Sequence, residues 1–444
     1  MKHCWFHLMP YTELPEDFRD KHESIWGDID SKLFDPERAH HMYNDHLNEM
    51  EFAADMGFDA ICVNEHHSNG YGLMPSPNLM LASLSRRANP KTALCVLGNS
   101  IALYNPPTRV AEEMAMLDCI SGGRLIAGFP VGSPMDTCYA YGQNPSQLRE
   151  RYAEAHDFIK KAWTEADTFS FNGRFNQQRY VNIWPRPLQK PHPPIWVPGG
   201  GSVETWRWCA EMEYVYCYLS YYGYQAAKAT MHGFWEEMDR LGKDRNPYRA
   251  GFLQFVGVAE TESLARELYA EPAEYFYDRC LRVSAKYANP PGYVTEATQR
   301  AGVKSQISAA AAGGPDDVSN TSALPGIQKA QSINEVRKNG FDKNAREFDS
   351  IVENGYVIIG SPSQVAEQLR EIVHDLHFGQ LMLLLQYGNM TKKIANYNTQ
   401  LYAEKVMPQL SDVWSEWENH WWPKPLPMSN RALPNNISNS IAAE

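Results

Sequence analysis

The order of apolar and polar positions along the chain predicts strands that alternate with helices. Short apolar runs of strand character recur, and longer segments with apolar residues at helical spacing follow most of them. One such segment begins at Asp35, which can cap a helix that has Pro36 at its first position and Gly57 after its end. We predict eight strands, at Lys2–Leu8, Asp59–Asn64, Thr92–Ile101, Arg124–Phe129, Ile195–Val197, Val215–Leu219, Gly251–Val258 and Gln380–Gln386.

This alternation predicts an α/β fold with a parallel sheet. Eight βα units fit a (β/α)8 TIM barrel with insertions, which we place at residues 1–412 as one domain. The insertions lie at about 167–191 and 289–353, and residues 413–444 form a C-terminal extension or tail. The second insertion is either a lid or binding loop, or a surface segment without a role in the site.

Charge and composition exclude several kinds of partner. The 444 residues carry a formal net charge of −12, which disfavours nucleic acid and anionic membrane surfaces as partners. No apolar run approaches the roughly 20 residues that a membrane-spanning helix needs. The eight cysteines show no C-x-x-C spacing, and we interpret them as reduced thiols of a cytoplasmic protein.

Polar residues at the end of the second predicted strand are candidates for chemistry. The two-residue period of a strand turns Asn64 and His66 toward the barrel mouth, where TIM-barrel active sites lie. An imidazole there can move protons near neutral pH, although a histidine at a strand end is often structural. Glu65, His66 and His67 could instead ligate a metal, but no metal-binding motif accompanies them, and we predict no metal site.

Two glycine segments follow other strands. Gly98, at the end of the third strand, permits the close approach of a flat ligand, and Asn99 offers a donor and an acceptor. The fifth strand leads into Pro198–Ser202, where three consecutive glycines precede a predicted helix. Main-chain N–H groups and the helix dipole make this turn a candidate phosphate cradle.

Charged residues around the third helix are better explained by structure than by chemistry. Arg109 and Glu112 stand three residues apart, and Asp118 can pair with Arg124 around the following loop. We interpret both pairs as structural ion pairs.

Taken together, these segments resemble the bacterial luciferase-like flavin-dependent monooxygenases. The likeness spans most of residues 1–412 outside the second insertion. The matching segments are Asn64–His67, Leu97–Asn99, Pro107–Glu113, Leu117–Asp118, Ser121–Gly128, the glycine turn before Trp206, Ile359–Leu369 and Val406–Leu410.

The resemblance implies a TIM barrel that binds reduced FMN at its mouth and uses O2 as co-substrate, with the flavin supplied by a separate NAD(P)H:flavin reductase. His66 matches the family's catalytic histidine. Gly98 and Asn99 match the segment under the isoalloxazine ring, where some members carry a non-proline cis peptide. The remaining positions implied to bind the cofactor are Asn64, Tyr152, Gly200, Gly201 and Ser202.

The chain also departs from the family. Bacterial luciferase carries a Cys followed by a phosphate-binding Arg after the fourth strand, where this chain has Pro130 and Val131. The glycine turn and Tyr152 would then hold more of the phosphate. The second insertion and the aromatic-rich Tyr214–Tyr224 segment indicate a different pocket, which we expect to take a small organic molecule.

The function predicted from this resemblance is two-component FMN-dependent monooxygenation: hydroxylation, Baeyer–Villiger insertion or oxidative cleavage. We also expect a homo-oligomer, either a dimer or a tetramer. The alternatives are a deazaflavin-dependent hydride-transfer enzyme of the same superfamily, a metal-dependent barrel hydrolase, and a non-enzymatic flavin-storing or partner subunit.

Overall fold

Eight parallel strands close into a barrel in the computed structural model, which describes residues 1–288, 290–293 and 346–431. Around the barrel the order is β1, β2, β3, β4, β7, β8, β9 and β11, and β11 pairs again with β1. The strands are β1 (Lys2–Phe6), β2 (Ala60–Val63), β3 (Ala93–Val96), β4 (Leu125–Gly128), β5 (Phe169–Asn172), β6 (Gln177–Val181), β7 (Ile195–Gly199), β8 (Val215–Tyr218), β9 (Ala250–Val258), β10 (Val357–Gly360) and β11 (Gln380–Leu384).

Helices surround this barrel and cover its strands. They are α1 (Phe18–Lys21), α2 (Pro36–Asp55), α3 (Pro77–Leu84), α4 (Thr108–Ser121), α5 (Leu148–Thr164), α6 (Val203–Met212), α7 (Gly223–Arg240), α8 (Glu262–Tyr275), α9 (Ala285–Ala288), α10 (Phe348–Glu353), α11 (Pro362–Leu376) and α12 (Lys392–Leu401). The predicted TIM barrel is confirmed. No helix within the described residues is both long enough and apolar enough to cross a membrane.

Each of the eight predicted strands corresponds to a barrel strand, but a ninth parallel strand is present. β10 pairs with Phe255–Val258, the second half of β9, while the first half of β9 pairs with β8 and β11. The prediction for the third strand, Thr92–Ile101, was too long. The chain leaves β3 after Val96, and Ile101–Leu103 form a short 3-10 turn.

The predicted helix start at Asp35 is confirmed. Its carboxylate accepts hydrogen bonds from the main-chain N–H groups of Glu37 and Arg38, which a helix leaves unpaired at its first turn. Pro36 occupies the first helical position, and Gly57 follows the helix with a φ of +91°. Gly57 therefore adopts the left-handed conformation that side chains disfavour.

The predicted ion pairs around α4 are wrong in their partners. Arg109 pairs with Glu113, one turn along the helix, rather than with Glu112. The Arg124 guanidinium donates to four main-chain carbonyls, while Asp118 accepts bonds from the main chain and side chain of Gln189. Burial lowers the pKa of Arg124 to about 10. Both Asp118 and Arg124 serve the structure, but through main-chain and amide groups.

The two predicted insertions differ in what can be described. In the first, β5 and β6 form an antiparallel hairpin that lies on α5, where the ring of Phe171 meets that of Phe158 at a centroid distance of 5.1 Å. Most of the second insertion, residues 289 and 294–345, lies outside the described residues. The two alternatives predicted for it, a lid or a surface segment, therefore both stay predictions.

The described part of the C-terminal extension lies across the N-terminal ends of the barrel strands. Trp421 is 8% exposed, and its indole N–H donates to the carbonyl of Glu213 over 2.7 Å. The Arg249 guanidinium stacks on the same ring at 4.8 Å, and Trp196 of β7 donates to the Trp421 carbonyl. We propose that residues 1–412 form one barrel domain whose lower end is closed by this extension.

We expect Trp421→Phe to lower the free energy of unfolding by about 1 kcal/mol, because it deletes the bond to Glu213 and leaves that carbonyl unpaired. Denaturant titration measures the change. Trp184→Phe is the matched control, since Trp184 is 81% exposed and should change stability by less than about 0.5 kcal/mol. Equal effects of the two substitutions would mean that the bond from Trp421 to Glu213 adds no stability.

Candidate active site

A cavity of about 530 Å³ opens at the C-terminal ends of the barrel strands. Residues that follow six of these strands line it, as the fold requires of a TIM-barrel site. Its volume is typical of a site for a cofactor or a drug-sized ligand. Of the residues predicted to be functional, the lining includes Asn64, His66, Gly98, Gly200, Gly201 and Ser202.

His66 faces this cavity from the end of β2. Its Nδ1 lies 3.1 Å from Oδ2 of Asp136, and its side chain is 17% exposed. The rings of Trp26 and Tyr71 meet it edge to face at 4.8 and 5.0 Å. Nε2 has no hydrogen-bond partner among the described residues, so this nitrogen is available to a molecule in the cavity.

Asp136, which the sequence analysis missed, lies in the turn after β4 and is 1% exposed. Its Oδ1 accepts from the indole N–H of Trp26 at 3.1 Å and from the main-chain N–H of His67 at 2.6 Å. Its Oδ2 accepts from Ser133 Oγ at 2.7 Å and lies 3.1 Å from His66 Nδ1. Three donors and the imidazole therefore hold this carboxylate in place.

A second carboxylate, Glu65, bonds the neighbouring histidine. His67 Nε2 lies 2.8 Å from Glu65 Oε1, and Tyr104 donates to the same oxygen. Asn99 Nδ2 donates to Oε2 at 2.7 Å, and the Asn99 side chain is fully buried. Asn99 thus contacts Glu65 and is not among the residues that line the cavity; its cofactor role stays a prediction.

The glycine turn after β7 also lines the cavity. A Cβ on Gly200 would meet nothing within 4 Å, so the turn faces open space. Ser202 occupies the N-cap position of α6, where its hydroxyl donates to Glu204 Oε2 at 2.8 Å, and Thr205 also lines the cavity. The first turn of a helix has N–H groups without intrahelical partners, and its dipole attracts an anion.

Arg149 places a positive charge beside the glycine turn, whereas the position after β4 where bacterial luciferase has an arginine is Val131 in this chain. Arg149 lies at the start of α5 and lines the cavity, with Nη2 3.4 Å from Ser202 Oγ. Its Nε is buried and has no hydrogen-bond partner in the part of the chain that the structure describes. A buried donor without an acceptor costs free energy, and an anionic oxygen at the glycine turn would satisfy it.

Tyr152 lies behind the cavity rather than in its lining. Its hydroxyl donates to the carbonyl of Phe129 at 2.7 Å, and burial raises its pKa well above the ordinary value. In this conformation it holds the chain after β4, and its contact with a cofactor stays a prediction.

The end of β3 is shaped by a close approach of two strands. The Leu97–Gly98 peptide bond is cis. A Cβ on Gly98 would lie 2.5 Å from the carbonyl oxygen of Gly128 and 2.3 Å from Pro130 Cδ. Only glycine fits there. Asn64, which also lines the cavity, has a buried Oδ1 that receives no donor from the described residues.

Three aromatic side chains line the cavity close to His66: Trp26, Tyr71 and Tyr221. Trp26 stacks on Tyr71 at 4.8 Å, and the Tyr71 hydroxyl contacts that of Tyr221. The sequence analysis identified Tyr221 only as part of the aromatic-rich segment, and it gave no sign of Trp26 or Tyr71. These rings give the cavity an apolar surface beside His66.

The alternative of a metal site on Glu65, His66 and His67 is not supported by their arrangement, because the two histidines bond different carboxylates. One group in the described part of the chain does bring three potential ligands together: His7, His46 and Glu49. The Met9 N–H donates to His7 Nδ1 at 2.8 Å, so the proton of the neutral ring lies on Nε2 and points to Glu49.

A histidine that binds a metal through Nε2 carries its proton on Nδ1, but Nδ1 of His7 is the atom that accepts the Met9 N–H. The shifted pKa values of His7 and Glu49 are explained by burial and by the hydrogen bonds within this cluster. Burial lowers the pKa of His7 to about 4. Burial raises the pKa of Glu49, but the bonds from His46 and His7 outweigh it and bring the value to about 2.

Comparison with known proteins places the chain among flavin-dependent enzymes. The oxygenase component of the flavin-dependent trigonelline monooxygenase of Acinetobacter baylyi is 30% identical over 37% of this chain and 46% of its own length. The F420-dependent glucose-6-phosphate dehydrogenase of Kineococcus radiotolerans is 30% identical over 34% of this chain and 46% of its own. The chain thus matches about half the length of these relatives.

The barrel also matches solved structures. The oxygenating constituent of 3,6-diketocamphane monooxygenase of Pseudomonas putida, solved in complex with FMN, superposes with a TM-score of 0.63. The match covers 92% of this chain and 98% of that one. Because the sequence identity is only 16%, this match shows the fold alone. The family model of the luciferase-like monooxygenases matches residues 32–379. The chain belongs to the luciferase-like monooxygenase family.

Proposed function

We propose that this chain is the oxygenase of a two-component monooxygenase, which uses reduced FMN and O2 to oxygenate a small organic substrate. The observation that supports this most is that one cavity is lined by two complementary groups of residues. One is the glycine turn after β7 with Arg149 beside it, and the other is His66 with the aromatic rings. A ligand with an anionic tail and a planar ring matches both.

The residues present fit FMN. Arg149, with its unpartnered Nε, would bind the phosphate together with the Ser202 and Thr205 hydroxyls and the main chain of Gly200 and Gly201. Arg149 thereby takes over from the arginine that bacterial luciferase carries where this chain has Val131.

In the same cavity, the ring would rest on Leu97 and Gly98. There the buried Oδ1 of Asn64 offers an acceptor for a ring N–H group.

When bound, reduced FMN supplies the electrons that activate O2. The protein's own residues orient the reacting groups and keep water away from them. The rings of Trp26, Tyr71 and Tyr221 keep water from the reacting end of the cavity. His66 Nε2 accepts or donates the proton that the substrate exchanges during the reaction. Asp136 keeps the imidazole oriented.

Partners follow from the same proposal. A separate NAD(P)H:flavin reductase supplies the reduced flavin, as the name "oxygenase component" of the Acinetobacter relative suggests by analogy. We also propose a cytoplasmic homo-oligomer, a dimer or a tetramer. Exposed apolar side chains on the packed helices α3 and α4 support it: Leu79 is 70% exposed, Met116 47% and Ile120 45%.

We expect Arg149→Gln to weaken the binding of FMN by roughly 10- to 100-fold, because a hydrogen bond to a charged group contributes about 1.5–3 kcal/mol. Quenching of FMN fluorescence measures the affinity. Arg151→Gln is the matched control: Arg151 lies on the same helix but stacks on Phe175 and does not line the cavity. Equal losses for both variants would place the phosphate elsewhere.

Oxygen uptake tests the activity. The protein is mixed with enzymatically reduced FMN and a panel of amines, heterocycles, ketones and sulfonates, and the products are analysed by mass spectrometry. Substrate-dependent uptake with a product heavier by one oxygen atom supports the proposal. Uptake that yields only hydrogen peroxide across the panel counts against it.

A deazaflavin-dependent hydride transferase is the second candidate, because one relative is named as F420-dependent. Anaerobic titrations with reduced FMN and with reduced F420 separate the two. Tight binding of reduced F420 together with weak binding of reduced FMN would favour the hydride transferase.

A further inference from the structure

Two neighbouring histidines each bond a carboxylate that lines the cavity, Glu65 or Asp136, but only one of the two histidines lines it as well. His67 is 6% exposed, bonds Glu65 through Nε2 and is absent from the lining. His66 bonds Asp136 through Nδ1, and both residues line the cavity. The two pairs therefore use opposite ring nitrogens and offer different atoms to a ligand.

The donors around Asp136 determine where the proton of His66 lies. Oδ1 receives two groups that can only donate, the Trp26 indole N–H and the main-chain N–H of His67. Oδ2 receives the Ser133 hydroxyl and His66 Nδ1. A carboxylate surrounded in this way acts as an acceptor, so Nδ1 carries the proton and Nε2 presents its lone pair to the cavity.

We propose that Asp136 is the positioning residue that fixes His66 in the Nδ1–H tautomer and makes Nε2 the proton acceptor of the active site. This inference rests on the proposed function, because it assigns the direction of a proton transfer at the same histidine. It goes further by defining the substrate: the reacting atom or its neighbour carries an O–H, N–H or acidic C–H bond.

The proton transfer is simple to write. The bond to that hydrogen breaks, its electron pair stays on the substrate, and the proton binds to Nε2. The resulting imidazolium donates from Nδ1 to Asp136, whose negative charge stabilises it at 3.1 Å. The proton is later released from Nε2 to water.

The tautomer can be measured on the full-length protein without any ligand. In protein labelled with ¹⁵N-histidine, the His66 resonances are identified by their loss in His66→Gln. We expect the signature of an Nδ1–H ring in the wild type. In Asp136→Asn the amide can donate to Nδ1, so the proton moves to Nε2. An Nε2–H ring in the wild type, or an unchanged tautomer in Asp136→Asn, overturns the proposal.

A double-mutant cycle gives an independent readout, with the substrate that the panel identifies. We expect Asp136→Asn to lower kcat by roughly tenfold or more, while the Kd of FMN changes by less than about threefold. The double variant with His66→Gln should be no slower than His66→Gln alone, because the two residues act as one unit. Additive losses would mean that Asp136 acts separately from His66.

Asp118→Asn is the control for loss of a buried carboxylate. Asp118 is fully buried and bonded to Gln189, and it does not line the cavity. We expect it to leave the His66 tautomer and kcat unchanged even if it lowers the melting temperature. If His66→Gln itself leaves kcat intact, the proposed function loses its histidine. If only Asp136→Asn is silent, the positioning role alone fails.

Discussion

Gly200→Asp should abolish FMN binding, with a loss of affinity of more than about 100-fold, while the barrel stays folded. The new carboxylate would project into the space that we assign to the phosphate, at the N-terminus of α6, and would repel its charge. The fold should tolerate the side chain, since a Cβ at Gly200 meets no atom within 4 Å. Fluorescence titration with FMN gives the affinity, and circular dichroism confirms the fold.

Gly200→Ala distinguishes the electrostatic effect of the aspartate from the steric effect of any side chain at this position. It adds a methyl group where there is room and should keep FMN affinity within about threefold. If alanine weakens binding as much as aspartate, the effect is steric. Wild-type affinity in Gly200→Asp would show that the phosphate binds away from this turn.

His66→Gln should lower kcat by roughly 100-fold and leave the Kd of FMN nearly unchanged. Glutamine keeps a polar side chain beside Asp136 but cannot take up a proton, and general acid–base groups contribute about 10²–10⁴-fold to rates. Turnover of the panel substrate at saturating reduced FMN measures the effect. Peroxide release, measured in parallel, separates slow oxygenation from failure to use oxygen.

The control for this variant is His156→Gln. His156 is 1% exposed, bonds Tyr214 and lies outside the cavity lining. It should change stability more than turnover. Comparable losses of kcat in the two variants would point to a general structural effect and would remove His66 from the mechanism.

The barrel could be predicted because its signals are local. Each barrel strand is a short apolar run, and the end of the second run directed attention to Asn64 and His66. Both follow β2 and line the cavity, but so does Glu65 between them, which period-two alternation placed on the other side. For Asn99 the sequence offered only a donor and an acceptor near Gly98. The chain leaves the strand after Val96, and Asn99 donates to Glu65 behind the cavity lining, a contact between two segments that the sequence did not indicate.

The missing parts of the site depend on contacts between distant segments. Arg149 lies on a helix after β4, and only packing brings it to a turn some 50 residues later, as the sequence separation of 53 from Ser202 shows. Asp136 is 70 residues from His66. The spacing of these residues forms no motif. A carboxylate soon after a barrel strand is, however, a signal that could have drawn attention to Asp136.

Isotope labelling tests the central claim most directly. The protein, enzymatically reduced FMN and the substrate identified in the panel are incubated under ¹⁸O2, and the product is analysed by mass spectrometry. A monooxygenase places one ¹⁸O atom in each product molecule and the other in water. A product without ¹⁸O would contradict the account, whatever the affinity of the protein for FMN.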